Sequence, residues 1–226
     1  MKTVQLKAAV LRWGSLLLGE TAVENLLFRR NFQKYEQAGV IFIHVPKNAG
    51  SSVSYALYGQ SLGHKTATNL RAYAPERFEA LDSFAILREP VARAYSAWQY
   101  SIGGGTKNGW AQPYPEYEER SFGSFETFVR EWLPGRDVNK LDFVFQPQSN
   151  FVCDDEGGVL VKRLIPLPKL ASMWLKIVQS KSVHSRELGT RNTNAAPKKT
   201  EFSPEIEGQL RTIYPLDFEL YEQAMK

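Results

Sequence analysis

An α/β fold, with a central parallel sheet flanked by helices, is what this sequence predicts, and three observations predict it. The run "VIFIHV" at 40–45 is short, apolar and β-branched, as a buried strand requires, and "GSSVSYALYG" follows it with helical spacing. The order strand, turn, helix returns at "SFAILREPVARAYSAWQY", where residues 84–87 form the apolar run and Pro90 stands in a first helical turn that needs no N–H from it. Two such units imply parallel strands with covering helices. The 226 residues, 43% hydrophobic, are enough for one sizeable core.

The remaining elements follow in order. Periodicity predicts a helix at 124–133, a strand at "GVLVKRLI" (158–165), a helix at "LPKLASMWLKIVQ" (167–179) and closing helices near 203–213 and 215–225. Between them, "GGGTKNGWAQPYPEYE" (103–118) joins turn-forming Gly and Pro to Trp110, Tyr114 and Tyr117. It is either a binding surface that stacks on sugar rings or a surface loop pinned by its aromatics. At the N-terminus, "AAVLRWGSLLLG" is interrupted by Arg12 and followed by Glu20, and reads as an amphipathic helix rather than a signal sequence. Residues 1–35 are therefore expected to be an N-terminal helical extension, and 36–226 the functional domain. No run of about 18 apolar residues occurs to span a membrane. A peripheral membrane contact through Trp13, Phe28, Arg29 and Arg30 is the alternative use of residues 1–30.

Twenty-eight Lys and Arg against 24 Asp and Glu give a net charge of +4. That balance suits an anionic ligand but lacks the dense basic tracts of a dedicated nucleic-acid binder, so no nucleic-acid partner is expected. The one cysteine, Cys153, rules out an internal disulfide, and no Cys/His spacing fits a structural zinc site, so no metal is expected.

The loop after the first strand, "PKNAGSS", carries the chemistry. In an open parallel sheet, ligands bind beyond the carboxyl ends of the strands, where helix N-termini present unpaired N–H groups and a positive dipole end. Gly50 permits close backbone approach, and Ser51 and Ser52 add hydroxyls. An ordinary strand-to-helix turn capped by serines would have the same composition; the second unit is what favours a ligand site. The nucleotide loop G-x-x-x-x-G-K-[ST] places its lysine directly before the hydroxyl residue. Here Lys47 lies ahead of Gly50, and the second strand ends in Arg88, where a magnesium-dependent enzyme would be expected to use a carboxylate. The anion should meet Lys and Arg directly, with Ser96 two helical turns beyond Arg88 as a further donor.

"VPKNAGSS" and "LREPVARAYSAW" together resemble the two cofactor motifs of sulfotransferases that use 3'-phosphoadenosine 5'-phosphosulfate (PAPS), in particular the carbohydrate branch that includes heparan and chondroitin O-sulfotransferases. "GHKTATNLR", "FQPQSNFV" and "YPLDFELYE" are similar to segments of the same branch, whereas the first 35 residues lie outside it. The resemblance implies a P-loop-like three-layer fold. It implies that Lys47, Asn48, Ala49, Gly50, Ser51 and Ser52 hold the 5'-phosphosulfate, that Arg88 and Ser96 hold the 3'-phosphate, and that "RNTNAAPKK" adds Arg191, Asn194, Lys198 and Lys199. Two departures are Glu89, where the family often has Asp or Asn, and the serine pair in place of threonines.

Sulfuryl transfer to a hydroxyl needs a stabilised leaving phosphate and a base. Lys47 suits the first role as a mobile point charge. For the second, His64 in "SLGHKTATN" is the expected base, because the carbohydrate branch often places a catalytic histidine between the two motifs. His44 in the first strand and His184 in the late polar stretch are competitors, with Glu76, Glu79 and Asp82 in reserve. The cations available to an acidic polysaccharide are Lys107, Arg120 and Lys140. The expected activity is transfer from PAPS to a hydroxyl acceptor, most readily a carbohydrate, releasing 3',5'-diphosphoadenosine. A P-loop kinase or NTPase and a non-catalytic anion-binding module are the alternatives. Without a recognisable secretory anchor, the expected setting is the cytoplasm, in a bacterium, or else a trimmed Golgi-lumenal domain.

Overall fold

Every residue of Val40–Ile43 is buried, as are Ser83 to Leu87 of the neighbouring strand. Successive strand residues face opposite sides, so unbroken burial means that both faces of the sheet are covered. The computed structural model describes residues 20–103, 117, 120–189 and 202–226. Three parallel strands form the sheet, β1 (Val40–Ile43), β2 (Asp82–Leu87) and β3 (Arg163–Pro166), with β2 central. Val40 pairs with Asp82 through to Ile43 with Ala85, and Phe84 with Arg163 through to Leu87 with Pro166. The chain is thus α/β, with a parallel sheet, as the two strand-turn-helix units predict.

The helices, in order, are α1 (Glu20–Ala38), α2 (Gly50–Tyr58), α3 (Ala67–Tyr73), α4 (Pro75–Ala80), α5 (Pro90–Ile102), α6 (Phe125–Thr127), α7 (Ser149–Val152), α8 (Leu170–Val178), α9 (Pro204–Ile213) and α10 (Pro215–Met225). Widened turns over Phe128–Trp132 extend α6, and its N-terminus is a capping box in which Ser124 and Thr127 exchange side-chain and backbone bonds. The α3 and α4 helices are too short for a periodic signal; Thr66 starts one by accepting from the Asn69 N–H, and Pro75 starts the other.

Parallel order leaves β1 at a sheet edge, and Tyr58 at the end of α2 covers that edge. Its hydroxyl donates to Val40 O at 3.0 Å and accepts from the Phe42 N–H at 2.9 Å. Both backbone groups are thereby satisfied without another strand.

Three expectations are corrected. The boundary at 35/36 falls inside α1, whose Phe28, Phe32 and Tyr35 belong to the same core cluster as the sheet. Residues 20–35 are therefore part of the body; residues 1–19, including Trp13, lie outside the described residues. Phe28 is not a membrane-facing residue, because its ring is buried and stacks on Tyr73 at 4.8 Å. The third strand begins at Arg163, five residues later than its apolar pattern suggests. The intervening stretch is a turn instead. Gly157 takes φ +85°, Asp154 accepts from the Gly158 N–H at 2.6 Å, and the Leu160 N–H returns to Val152 O. Among the described residues, no helix is long and apolar enough to cross a membrane.

Phe32 is fully buried against both the sheet cluster and Tyr73. Phe32→Ala should lower unfolding free energy by about 3–5 kcal/mol, read by urea denaturation. A loss under about 1 kcal/mol would mean that α1 is not part of the cooperative unit.

Candidate functional site

Because β1 and β2 run parallel, the loops that leave them emerge at the same end of the sheet, side by side. The first loop is backbone-strained. Lys47 (φ 69°) and Ala49 (φ 61°) are the non-glycine residues with positive φ among those described. Each such residue costs on the order of 1 kcal/mol or more, and strain of this kind concentrates at functional sites.

Three side chains from beyond β1 hold the loop in that shape. Asn48 is buried and donates from Nδ2 to Ile86 O at 2.7 Å and to Gln148 Oε1 at 2.6 Å. Arg88 donates from Nη1 to Lys47 O at 3.2 Å, and Arg93 from Nε to Pro46 O at 3.4 Å. Every residue from 46 to 48 is therefore anchored to β2, to the start of α5 or to Gln148. Satisfaction is incomplete: Asn48 Oδ1 and His44 Nδ1 are buried without a partner among the described residues, a condition native structures tolerate rarely.

Gly50 has a packing role besides the expected one. A Cβ on it would overlap the His44 ring, so glycine makes room for that imidazole rather than only for a ligand. Ala49, the N-cap of α2, is exposed, and Ser51 and Ser52 are half-buried in its first turn. The helix N-terminus thus faces outward with the positive end of its dipole beside Lys47.

The electrostatics are those of cations held partly out of water. Lys47 is largely buried, with Nζ 4.0 Å from the centre of the Tyr100 ring and no ion pair among the described residues. Burial first, then the positive charges of Arg88 and Arg93, push its pKa down from 10.5 to about 8. Between those two values the unfolded chain keeps a proton that the folded chain has lost, so stability from this group rises with pH across that window. Burial likewise lowers Arg88, with Glu89 opposing and Arg93 reinforcing the shift. Glu89 does not neutralise the site by an ion pair. Its carboxylate caps α5, accepting from the Val91 N–H at 3.0 Å and the Ala92 N–H at 2.7 Å. Ser96, on the same helix, is half-buried and makes no hydrogen bond among the described residues.

His64 stands beside this cluster. Its Nδ1 lies 2.8 Å from His44 O; a carbonyl can only accept, so Nδ1 carries the proton and Nε2 keeps the lone pair. The ring packs between His44, 4.1 Å away, and Phe143, 5.0 Å away. Burial lowers its pKa, the His44 carbonyl opposes that, and the charge of Lys47 lowers it again. His64 is therefore neutral at pH 7, with the correct nitrogen available to take a proton. His44 is driven further down by burial and by His64, and packs under the loop as a neutral ring.

The other expected bases are elsewhere. Asp82 begins β2, at the opposite end from Arg88, and pairs with Arg163 at 2.5 Å and Lys181 at 3.3 Å. Glu79 pairs with Arg71, and Glu76 is exposed on α4. His184 packs beside Gly59 at the far end of α2. Lys140 is exposed and pairs with Asp137, and Arg120 is exposed. Lys107, Trp110, Tyr114, Arg191, Asn194, Lys198 and Lys199 lie outside the described residues.

Sequence reasoning missed the residues that assemble the site. Gln148 brackets Arg88: Oε1 accepts the Arg88 N–H at 3.0 Å while Nε2 donates to Arg88 O at 3.0 Å. Asp217, buried in α10, receives the N–H groups of Gln148 and Ser149, each at 2.8 Å. Burial raises its pKa, while the charge of Arg93 and these N–H groups pull it down. Arg93, fully buried, faces that carboxylate and also donates to Gln146 O at 2.6 Å. The available signal was their position inside "FQPQSNFV", "YPLDFELYE" and "LREPVARAYSAW".

Comparison with protein-family models, curated proteins and solved structures returns no match to this chain.

Gly50→Ala should force the His44 ring to move, costing roughly 1–3 kcal/mol of stability. Adding His44→Ala should recover part of that loss in thermal melts. Equal melting temperatures for wild type and the single variant would show that the ring and Gly50 do not compete for space.

Proposed function

We propose that this protein is a PAPS-dependent sulfotransferase of P-loop-like three-layer architecture, moving a sulfuryl group to an acceptor hydroxyl, with a carbohydrate the favoured acceptor. The observation that carries the proposal is the convergence, at one end of a parallel sheet, of a largely buried lysine with no ion pair among the described residues, a half-buried arginine and a neutral histidine with its Nε2 available. The resemblance of "VPKNAGSS" and "LREPVARAYSAW" to the family's two motifs supplies the identity of the anion. Arg88 touches the main chain of Lys47, so one nucleotide can engage both side chains.

The residues present suit such a ligand. Lys47 gains a counter-charge that it lacks among the described residues, Ser96 gains an acceptor, and most of the five guanidinium N–H groups of Arg88 remain for a phosphate. PAPS supplies an activated sulfuryl group: the acceptor oxygen bonds to sulfur as the bridging S–O bond breaks, leaving 3',5'-diphosphoadenosine. Lys47 neutralises charge on the departing oxygen. His64 Nε2 takes the acceptor proton, and the imidazolium so formed is steadied by its Nδ1–H bond to His44 O. Arg88 and Ser96 position the other end of the donor, and the loop N–H groups surround the phosphosulfate.

Diphosphoadenosine should raise the melting temperature without added metal, and Arg88→Ala should abolish the rise. An unchanged melting temperature for wild type at millimolar nucleotide would refute the assignment of the site.

His64→Asn should lower kcat by roughly 10²- to 10⁴-fold, with nucleotide affinity little altered. In wild type, kcat/KM for the donor should fall only below pH 6.5, because burial and Lys47 lower the His64 pKa beneath that value in the free protein. Nucleotide affinity should weaken above pH 8, where free Lys47 loses its proton, and Lys47→Met should flatten that basic limb. A basic limb unchanged in Lys47→Met would assign it to another group.

A further inference from the structure

A groove of about 620 Å³ opens beside the site, between the start of α3, the 139–146 loop and α7 with the turn after it. That volume falls in the roughly 300–1,000 Å³ range of small-molecule sites. Its walls are continuous with the environment of His64. Thr66 lies two residues beyond His64 and caps α3. On the other side, Phe143 packs on the His64 ring, and the chain then runs directly to Gln146 in the groove wall. Ser149 in the same wall follows Gln148, which brackets Arg88.

The chemistry of the lining is specific. Among the described residues it contains no Lys or Arg; its charged members are Asp154 and Asp155. The remaining polar groups are amides and hydroxyls, and several are held by one bond each so that the other end is free. Asn150 Nδ2 donates to Asn139 Oδ1 at 2.9 Å, which leaves Asn139 Nδ2 as donor and Asn150 Oδ1 as acceptor. Gln146 Nε2 donates to Leu141 O at 2.9 Å, leaving Oε1. Asn69 Oδ1 is taken by the Thr66 hydroxyl at 2.7 Å, leaving Nδ2. Two donors and two acceptors are thus left around one cavity.

We propose that this groove is the acceptor subsite and that it selects a non-anionic sugar, resting on the sulfotransferase reading of the adjoining site. A sugar's hydroxyls both donate and accept, so they match mixed amide ends. A sulfated or carboxylated glycan would need Lys or Arg partners that the wall lacks and would meet Asp154 and Asp155 as like charges. Of the cations named for an acidic polysaccharide, Lys140 is exposed and pairs with Asp137, and neither it nor Arg120 belongs to the groove wall.

The test uses the full chain with saturating diphosphoadenosine and three probes: maltotetraose, the tetramer of N-acetylglucosamine, and tetragalacturonate. Titration calorimetry should show binding of at least one neutral tetrasaccharide and none, or far weaker binding, of tetragalacturonate. Asn69→Ala and Asn139→Ala should each weaken the neutral sugar roughly three- to tenfold. Asp155→Lys should shift preference toward tetragalacturonate. All three positions are exposed, so the variants should fold, and the melting shift given by diphosphoadenosine should persist in each. Tetragalacturonate binding as tightly as the neutral sugars, no sugar binding at all, or affinities unchanged in all three variants would overturn the groove assignment. If the nucleotide shift persists through such a result, the donor site stands. Neutral-sugar binding that depends on Asn69 and Asn139, in a protein that diphosphoadenosine does not stabilise, would support the groove and remove the sulfotransferase reading.

Discussion

One carboxamide joins the two loops on which the site depends. Gln148 takes both backbone groups of Arg88 and also accepts from Asn48, so the end of β2 and the loop after β1 are fixed to a common point. It is placed in turn by Asp217, which accepts its N–H and that of Ser149 at the start of α7. Sheet register alone would bring the two loops to the same end of the molecule. It would not set the distance between Lys47 and Arg88, which this chain of buried bonds does. Removing either side chain would leave buried N–H or C=O groups unpaired, the costly case for a hydrogen-bond network.

The same anchoring forces cations together. Lys47, Arg88 and Arg93 all sit in partly or fully buried positions, and each lowers or is lowered by another. Arg93 has Asp217 to face; Lys47, among the described residues, has the ring of Tyr100 and no carboxylate. A pKa near 8 means that Lys47 is still mostly protonated at neutral pH, but at a cost that an anion would relieve. The protein without ligand is therefore biased toward binding negative charge, and the bias is built into the packing rather than into surface charge, since the net charge of the chain is only +4.

What the sequence made legible is what local pattern encodes. The apolar runs at 40 and 84, Pro90 at a helix start and the glycine and serines after the first strand place β1, β2, α2, α5 and the loop between β1 and α2 correctly. Lys47, Arg88 and His64, separated by up to 41 positions, are brought together by the parallel register, as two units of the same hand require. The apolar stretch before β3 misled because Gly157 and Asp154 make a turn whose signal is weaker than the run of valine and leucine beside it. Gly50 was read for ligand approach, yet the His44 ring that it accommodates can be found only in three dimensions. Gln148, Asp217 and Arg93 act through contacts tens of residues distant, and a glutamine or a buried aspartate has no one-dimensional signature. The boundary at 35 erred for a related reason: the amphipathic character of α1 does not say against which surface it packs.

His64 sits where two electrostatic environments meet. On one side lies Lys47, whose charge adds to burial in lowering the His64 pKa; on the other lies the groove, whose wall carries carboxylates and amides but no Lys or Arg among its described residues. A neutral base needs its pKa raised at the moment a proton arrives. Lys47 opposes that while its charge is uncompensated, and an anionic donor would cancel the opposition. Donor binding would then do two things at once, supplying the group to be transferred and making the imidazole more basic. On the proposed reading, the lack of Lys and Arg among the wall's described residues complements this order of events. An anionic acceptor would be drawn to Lys47 and Arg88 themselves and compete with the donor, whereas a non-anionic sugar has no such attraction and is confined to the groove that its hydroxyls fit.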